Sequence, residues 1–238
     1  MGYGMGYGMG LFFDPTFILV IIGLMLSGAA SAYVSSTFKQ YNQVRSKNNV
    51  TGTQAARFIL ESQGINNVGV QGISGNLTDN YNSGNKMLSL SEATAQSTSV
   101  AAISVAAHEC GHAVQDAKDY FPLRLRHAIV PVANIGSSMS IPIILIGVLL
   151  QGQFLIQLGL IAFSMALIFQ LVTLPVEFDA SRRALKILSE GGMLTEEEMP
   201  MARKVLTAAA LTYVAAAITT ALQLLRLVIL FGNNNNRD

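Results

Sequence analysis

The sequence predicts a mainly α-helical membrane protein in which four transmembrane helices carry one small α+β domain. Three observations carry that expectation. Hydrophobic residues make up 51% of the 238-residue chain and charged residues only 12%, whereas soluble domains average about 25% charged. Four apolar runs approach or exceed the ~20 residues a helix needs to cross a bilayer: Phe17 to Val34, Ile129 to Leu150, Phe154 to Pro175, and Val205 to Phe231. A chain this short cannot bury four all-round apolar helices in a soluble core. The third observation is a single long polar stretch, residues 35 to 128.

The elements follow in chain order. Residues 1–11 are a Gly/Tyr/Met-rich tail of low complexity. Residues 12–34 hold the first span. Its Ala30-Ser31-Ala32 has the small-x-small form of a cleavage site, but the first basic residue, Lys39, lies beyond it. A signal peptide carries its positive charge in front, so an uncleaved anchor is expected.

The domain at 35–128 begins with a helix over Thr53 to Gln63. Ala55, Ala56, Ile59 and Leu60 share one side of it, and Gly64 stops it. From Val68 to Leu90, four glycines punctuate short apolar pieces that read as two or three strands. Ser91 reads as the N-cap of a long helix, Thr94 to Lys118. A link with Pro122 leads to a membrane hairpin over 129–175, joined by Gln151-Gly152-Gln153. Residues 176–200 are a polar helix, Glu177 to Glu190, and a loop. Thr195 to Glu198 and Pro200 cap and open the last span, 201–231, and 232–238 is a polar tail.

Charge placement sets the orientation. Lys39, Arg45, Lys47, Arg124, Arg126, Arg182, Arg183, Lys186, Arg203 and Lys204 all fall on one side of the spans, against Asp14 and Arg237 on the other. The positive-inside rule then puts the polar domain on the cytoplasmic face of a cell membrane. Arg226, late in the last span, is expected to snorkel to the outer interface. The net charge of +1 gives no electrostatic case for nucleic acid. The single Cys110 forms no internal disulfide, which fits a reducing compartment. No acidic residue sits deep in a span, which argues against an ion or proton pathway.

The chemistry gathers at His108-Glu109-Cys110-Gly111-His112. Two histidines four apart on a helix project from one face and can share one zinc ion per chain. Glu109 stands beside them, placed to take a proton from zinc-bound water and pass it to a leaving amine. Cys110 points about 100° away from His108 and reads as a small buried filler. A catalytic zinc needs a third protein ligand. His127 lies in a basic run beside a span and reads as interfacial. Glu177 is the better candidate, because the hairpin returns it to the face that carries His112. The plainer alternative is a helix-N-terminal Glu interacting with the dipole.

These residues carry a resemblance. The HECGH segment, the hairpin and then Glu177-Phe178-Asp179-Ala180-Ser181 resemble the gluzincin layout of HtpX-type membrane metallopeptidases, in which the Glu after the hairpin is the third zinc ligand. The segments from Leu77-Thr78-Asp79 through Gln115, and from Val176 to Leu185, resemble the YugP family of bacterial zinc-dependent membrane peptidases more closely. The resemblance covers most of residues 12 to 231. It implies a zincin-like catalytic domain, a bacterial membrane, zinc, and a protein or peptide substrate, without naming that substrate.

One departure stands out: the HtpX-type pattern ends this segment in Asp, and here the residue is Ser181. Asp179 and Asp116 are the alternative carboxylates to orient a ligand histidine. Zincins bind substrate backbone along an edge strand, and Met87, Leu88, Ser89 and Leu90 are expected to supply it. Tyr81, Tyr120, Arg182 and Arg183 are candidate oxyanion donors. The expected function is a zinc-dependent endopeptidase of membrane or membrane-proximal proteins. The alternative is a membrane scaffold with a structural zinc site. A homo-oligomer or a membrane-protein partner stays open.

Overall fold

The computed structural model describes residues 14–232. Most of the two expected tails lies outside the described residues. The order of elements is α1 (Phe17–Asn42), α2 (Gly52–Ser62), β1 (Gly69–Ile73), β2 (Asn80–Asn82), β3 (Met87–Ser91), α3 (Glu92–Ala95), α4 (Val100–Ala117), α5 (Phe121–Leu149), α6 (Gln153–Glu190) and α7 (Met199–Phe231). The protein is mainly helical, and α1, α5, α6 and α7 are long and apolar enough to cross a membrane. The chain divides into two compact units.

The apolar unit holds residues 14–29, 126–172 and 214–232 of the described chain. Its side chains are largely turned outward: Leu24, Met25, Leu149 and Phe154 are all exposed, as lipid-facing residues are. Inside, Ile144, Phe163 and Leu227 form a small cluster. Small residues let the helices approach. A Cβ at Gly159 would stand 2.9 Å from the Ser140 carbonyl oxygen, so α5 and α6 touch backbone to backbone there. Polar contacts are few and specific. Thr219 Oγ1 donates to the Gly23 carbonyl at 3.0 Å and lies 3.0 Å from Ser27 Oγ. Arg226, late in α7, meets a residue that precedes α1. Its Nη2 donates to Asp14 Oδ2 at 2.9 Å, and its guanidinium lies over the Phe17 ring. An ion pair with a ring beneath it costs less than a lone cation held against apolar helices.

The polar unit holds residues 30–125 and 173–213. Thr51 caps α2 in a reciprocal capping box with Gln54. The long helix expected from Thr94 begins later, at Val100. Between them, Ser97 and Ser99 bond to each other through side chain and backbone, a local pattern that competes with helix. Ser99 then caps α4 by accepting the Ala102 N–H. Ser91 precedes only the one-turn α3, and its N–H and hydroxyl both go to Asp79.

Two other boundaries move for the same kind of reason. Pro122 sits in the first turn of α5, where a missing N–H costs nothing, so the expected link is largely helix. Pro175 lies inside α6, which continues through it, so Glu177 does not begin a new helix. The dipole reading of Glu177 loses its basis with that.

The sheet has the order β1-β3-β2. Residues Met87 to Leu90 therefore do not form an edge strand. β3 pairs in parallel with β1, Gly69 opposite Met87, and antiparallel with β2, Asn82 opposite Met87. From Met87 to Ser89 it has partners on both sides, so its backbone there is committed to the sheet and not open to an added strand. Leu88 and Leu90 point into the core instead, which they share with Ile59, Ile103, Cys110, Val114 and Leu188.

Candidate metal centre

The site is built where α4 meets α6. Val100, Ile103, Ala106, Ala107, Cys110, Ala113 and Val114 are all buried, a face of mostly small residues that lets α4 sit deep in the core. On α6, Ala180, Ala184 and Leu188 recur at helical spacing and are fully buried. Gly111 sets the distance between the two helices. A Cβ there would lie 2.5 Å from the Ala180 carbonyl oxygen, inside van der Waals contact. Any other residue would force the helices apart.

That close approach carries Glu177, 2% exposed, to the two histidines. Glu177 Oε2 lies 3.2 Å from His108 Nε2 and 3.6 Å from His112 Nε2. The imidazoles stand nearly perpendicular, their centroids 4.8 Å apart. One donor atom from each of the three residues can be chosen so that all lie within 4.8 Å of one another, so the group could hold a metal ion. Ligands held about 2.0–2.1 Å from a tetrahedral zinc are separated by roughly 3.3–3.4 Å. The two Oε2–Nε2 separations bracket that value. Two imidazoles and one carboxylate form the donor set of a catalytic zinc that keeps a fourth position open.

Both histidines are oriented from behind. His108 Nδ1 lies 3.1 Å from Ser181 Oγ, so the hydroxyl stands where the related pattern has a carboxylate. His112 Nδ1 lies 3.1 Å from Gln115 Oε1. An amide oxygen can only accept, so Nδ1 carries the proton and Nε2 is left as the lone-pair atom. Gln115 is itself fixed, with its amide nitrogen donating to the Val176 carbonyl at 2.8 Å and to Asp179 Oδ2 at 3.0 Å. Arg182 and Arg183 both pair with Asp179, and Arg183 lies over the Tyr120 ring. Asp179 thus acts on His112 through Gln115. Asp116 turns away, accepting from Tyr81 and Lys86 at 2.5 Å each.

Burial alone would pull the His112 pKa down. The Glu177 carboxylate bonded to it and the nearby Glu109 charge outweigh that and raise it. Glu109 is half-buried, and among the described residues its side chain enters no hydrogen bond or ion pair. Cys110 is fully buried and its thiol lies 3.6 Å from the Ala56 carbonyl; burial, with the Glu109 charge, pushes its pKa up, so it stays a neutral filler. His127 is exposed and outside the cluster. Of the four candidate oxyanion donors, Tyr81 is engaged by Asp116, Arg182 and Arg183 by Asp179, and Tyr120 stacks under Arg183.

Sequence reasoning missed Gln115. Its signal was a lone amide on an apolar helix face, one turn beyond His112, in a place that only an internal partner makes affordable.

Comparison with known proteins agrees with this chemistry. Residues 16–232 match the family described as "Putative neutral zinc metallopeptidase". The chain is 44% identical over 220 residues to "Putative membrane protease YugP" of Bacillus subtilis (strain 168), a match that spans 92% of this chain and 98% of that protein. No solved structure matches.

Proposed function

The chain belongs to the neutral zinc metallopeptidase family, and from that premise we propose that it is a membrane endopeptidase cutting membrane or membrane-proximal proteins on the cytoplasmic side. The observation that carries this reading is the convergence of His108, His112 and Glu177 on one point, with Glu109 beside it.

In this reading His108, His112 and Glu177 hold one zinc ion. When bound, the metal supplies a Lewis acid that polarises the scissile carbonyl and makes water acidic enough to attack near neutral pH. The rest falls to the chain. Glu109, one residue from His108 and about 100° around the helix, faces the attacking water and not the inner shell. Its carboxylate takes the water proton and hands it to the amine that leaves. Ser181 and Gln115 keep the two imidazoles turned with Nε2 inward, so that no reorientation is needed at each turnover.

A scaffold with structural zinc fits less well. Structural sites are closed by four protein ligands, and the cluster among the described residues has three.

Two experiments test the reading. Comparing the membrane proteomes of cells making wild-type protein and Glu109→Gln protein should reveal fragments present only with wild type; identical fragment sets would contradict it. For the side of action, Glu61 on α2 is exposed and the native Cys110 is fully buried, so Glu61→Cys gives one accessible thiol. It should react in intact cells only with a membrane-permeant reagent. Labelling by an impermeant one would place the site outside.

A further inference from the structure

Thr173 carries a buried hydroxyl with nothing to hold. It lies on α6 in the polar unit, 2% exposed, and among the described residues its Oγ1 has no hydrogen-bond partner. A hydroxyl on a helix has an easy remedy, the carbonyl one turn back. Ser104, Ser140, Ser164, Thr212 and Thr220 all take it, at 2.6 to 3.0 Å. Two that decline it reach another helix instead: Thr219 donates to the Gly23 carbonyl, and Ser181 faces His108 Nδ1. Thr173 does neither. A buried donor left unmade is costly to keep, so what stands next to it matters.

Thr173, Glu177 and Ser181 follow one another at intervals of four and share one face of α6. Ser181 meets His108 from that face, and Glu177 meets both Nε2 atoms through Oε2. Helical side chains lean toward the N-terminus of their own helix, so the Glu177 side chain lies over the turn that carries Thr173. A carboxylate accepts at about four positions on two oxygens, and the two imidazoles approach only one of those oxygens.

We infer that Thr173 is a positioning residue for Glu177: with an ion in the centre, its hydroxyl donates to the carboxylate oxygen that is not spent on the metal. A carboxylate gripped in this way ligates through one oxygen. Left to turn, it offers both, and the second takes up the position that a catalytic zinc keeps open for water. The inference deepens the zinc reading of the site and rests on it.

The test compares full-length protein in detergent as wild type, Thr173→Val and Thr173→Ser. Val keeps the shape and removes the hydroxyl; Ser keeps the hydroxyl. Two readouts should move in opposite directions. Without metal, Thr173→Val should melt higher by roughly 2–4 °C, because it deletes a buried group that has no partner. Its zinc affinity, by chelator competition, should fall by about tenfold, the lower end of what a group behind a ligand commands. Thr173→Ser should recover that affinity. Cobalt-loaded Thr173→Val protein should absorb more weakly in the visible, as the ion gains a further ligand atom. Thr212→Val removes a hydroxyl that serves its own helix and should leave zinc affinity as it is.

Wild-type protein that binds no zinc would sink the zinc reading and the inference together. Zinc held by wild type and equally well by Thr173→Val would sink the inference alone. A Thr173→Val protein that melts lower without metal, or does not fold, would mean that the hydroxyl holds the fold itself, and overturns the inference too. So does a Thr173→Ser protein as weak for zinc as Thr173→Val, since the hydroxyl is then not what Glu177 needs.

Discussion

The two units solve the same packing problem with different chemistry. In the apolar unit, Gly159 brings α5 against α6 and the contact ends there, in van der Waals surface. In the polar unit, Gly111 brings α4 closer still to the α6 backbone, 2.5 Å against 2.9 Å from a Cβ to the facing carbonyl oxygen, and the contact leads on to Glu177, Gln115, Ser181 and Asp179, all buried. Polar groups in the apolar unit tie one helix to another; those at Gly111 also aim donor atoms at a single point. The difference teaches where cost is tolerated. Buried carboxylates and amides are expensive unless fully partnered, and they are concentrated where a metal would repay them.

If that contrast is right, substitutions in the two units should fail in different ways. The largest effect is expected from Glu177→Ala. A site of two histidines is incomplete, so zinc affinity should fall by more than the roughly 10–100-fold that a residue behind a ligand commands. Competition with a chelator of known affinity measures it, and a mutant holding stoichiometric zinc as tightly as wild type would put the third ligand elsewhere.

Gly111→Ala comes next. Its methyl group meets the Ala180 backbone, which cannot swing aside as a side chain would. Overpacking of this kind costs about 1–3 kcal/mol, and here it also pulls Glu177 from the histidines. The variant should lose zinc affinity along with thermal stability, whereas Gly159→Ala should lose stability and keep zinc.

Gln115→Leu should weaken zinc by about 10–100-fold. The His112 Nδ1 proton loses its acceptor, and Asp179 loses one of its donors. Cobalt-substituted protein should show an altered visible spectrum, which a purely structural change far from the metal would leave alone.

Acid should release the metal earlier than an ordinary histidine site would allow. Metal binding needs neutral imidazole. Against the opposing effect of burial, Glu177 and Glu109 hold the pKa of His112 in the metal-free protein above its usual value, so the proton competes at higher pH than at an ordinary histidine. Zinc affinity should rise as pH climbs through that raised pKa and fall below it. A pH-independent affinity between 6 and 8, values chosen to bracket the ordinary histidine pKa of about 6.5, would contradict the pairing.

The smallest effects belong to the apolar unit. Asp14→Asn removes the negative charge that Arg226 pairs with and should lower the melting temperature in detergent, and Thr219→Val should do so less, by about 0.6 kcal/mol for an interhelical bond. Neither should alter zinc content.

How much of this was legible in the sequence follows from the range of each signal. The four apolar helices announce themselves because lipid demands long uninterrupted runs. His108 and His112 share a face by local spacing alone, and Glu177 follows once the hairpin is seen. Order within the sheet was not legible. Whether Met87 to Leu90 lie at the edge or in the middle depends on where β1 and β2 pair, and both are short and glycine-punctuated. Pro122 and Pro175 misled because a proline marks a boundary only on average, and here one opens a helix and the other is carried inside one. Gln115 was invisible because its partners, Val176 and Asp179, lie sixty or more residues away.

The central claim is that Glu109 does chemistry on a metal that other residues hold. It is tested most directly on one purified sample of Glu109→Gln protein, by measuring zinc content and peptide turnover together. Gln keeps the shape and removes the basic carboxylate. Zinc should remain at one per chain, and turnover should fall by a factor on the order of 10² to 10⁴, the usual worth of a general base. Full zinc with full turnover would contradict the account.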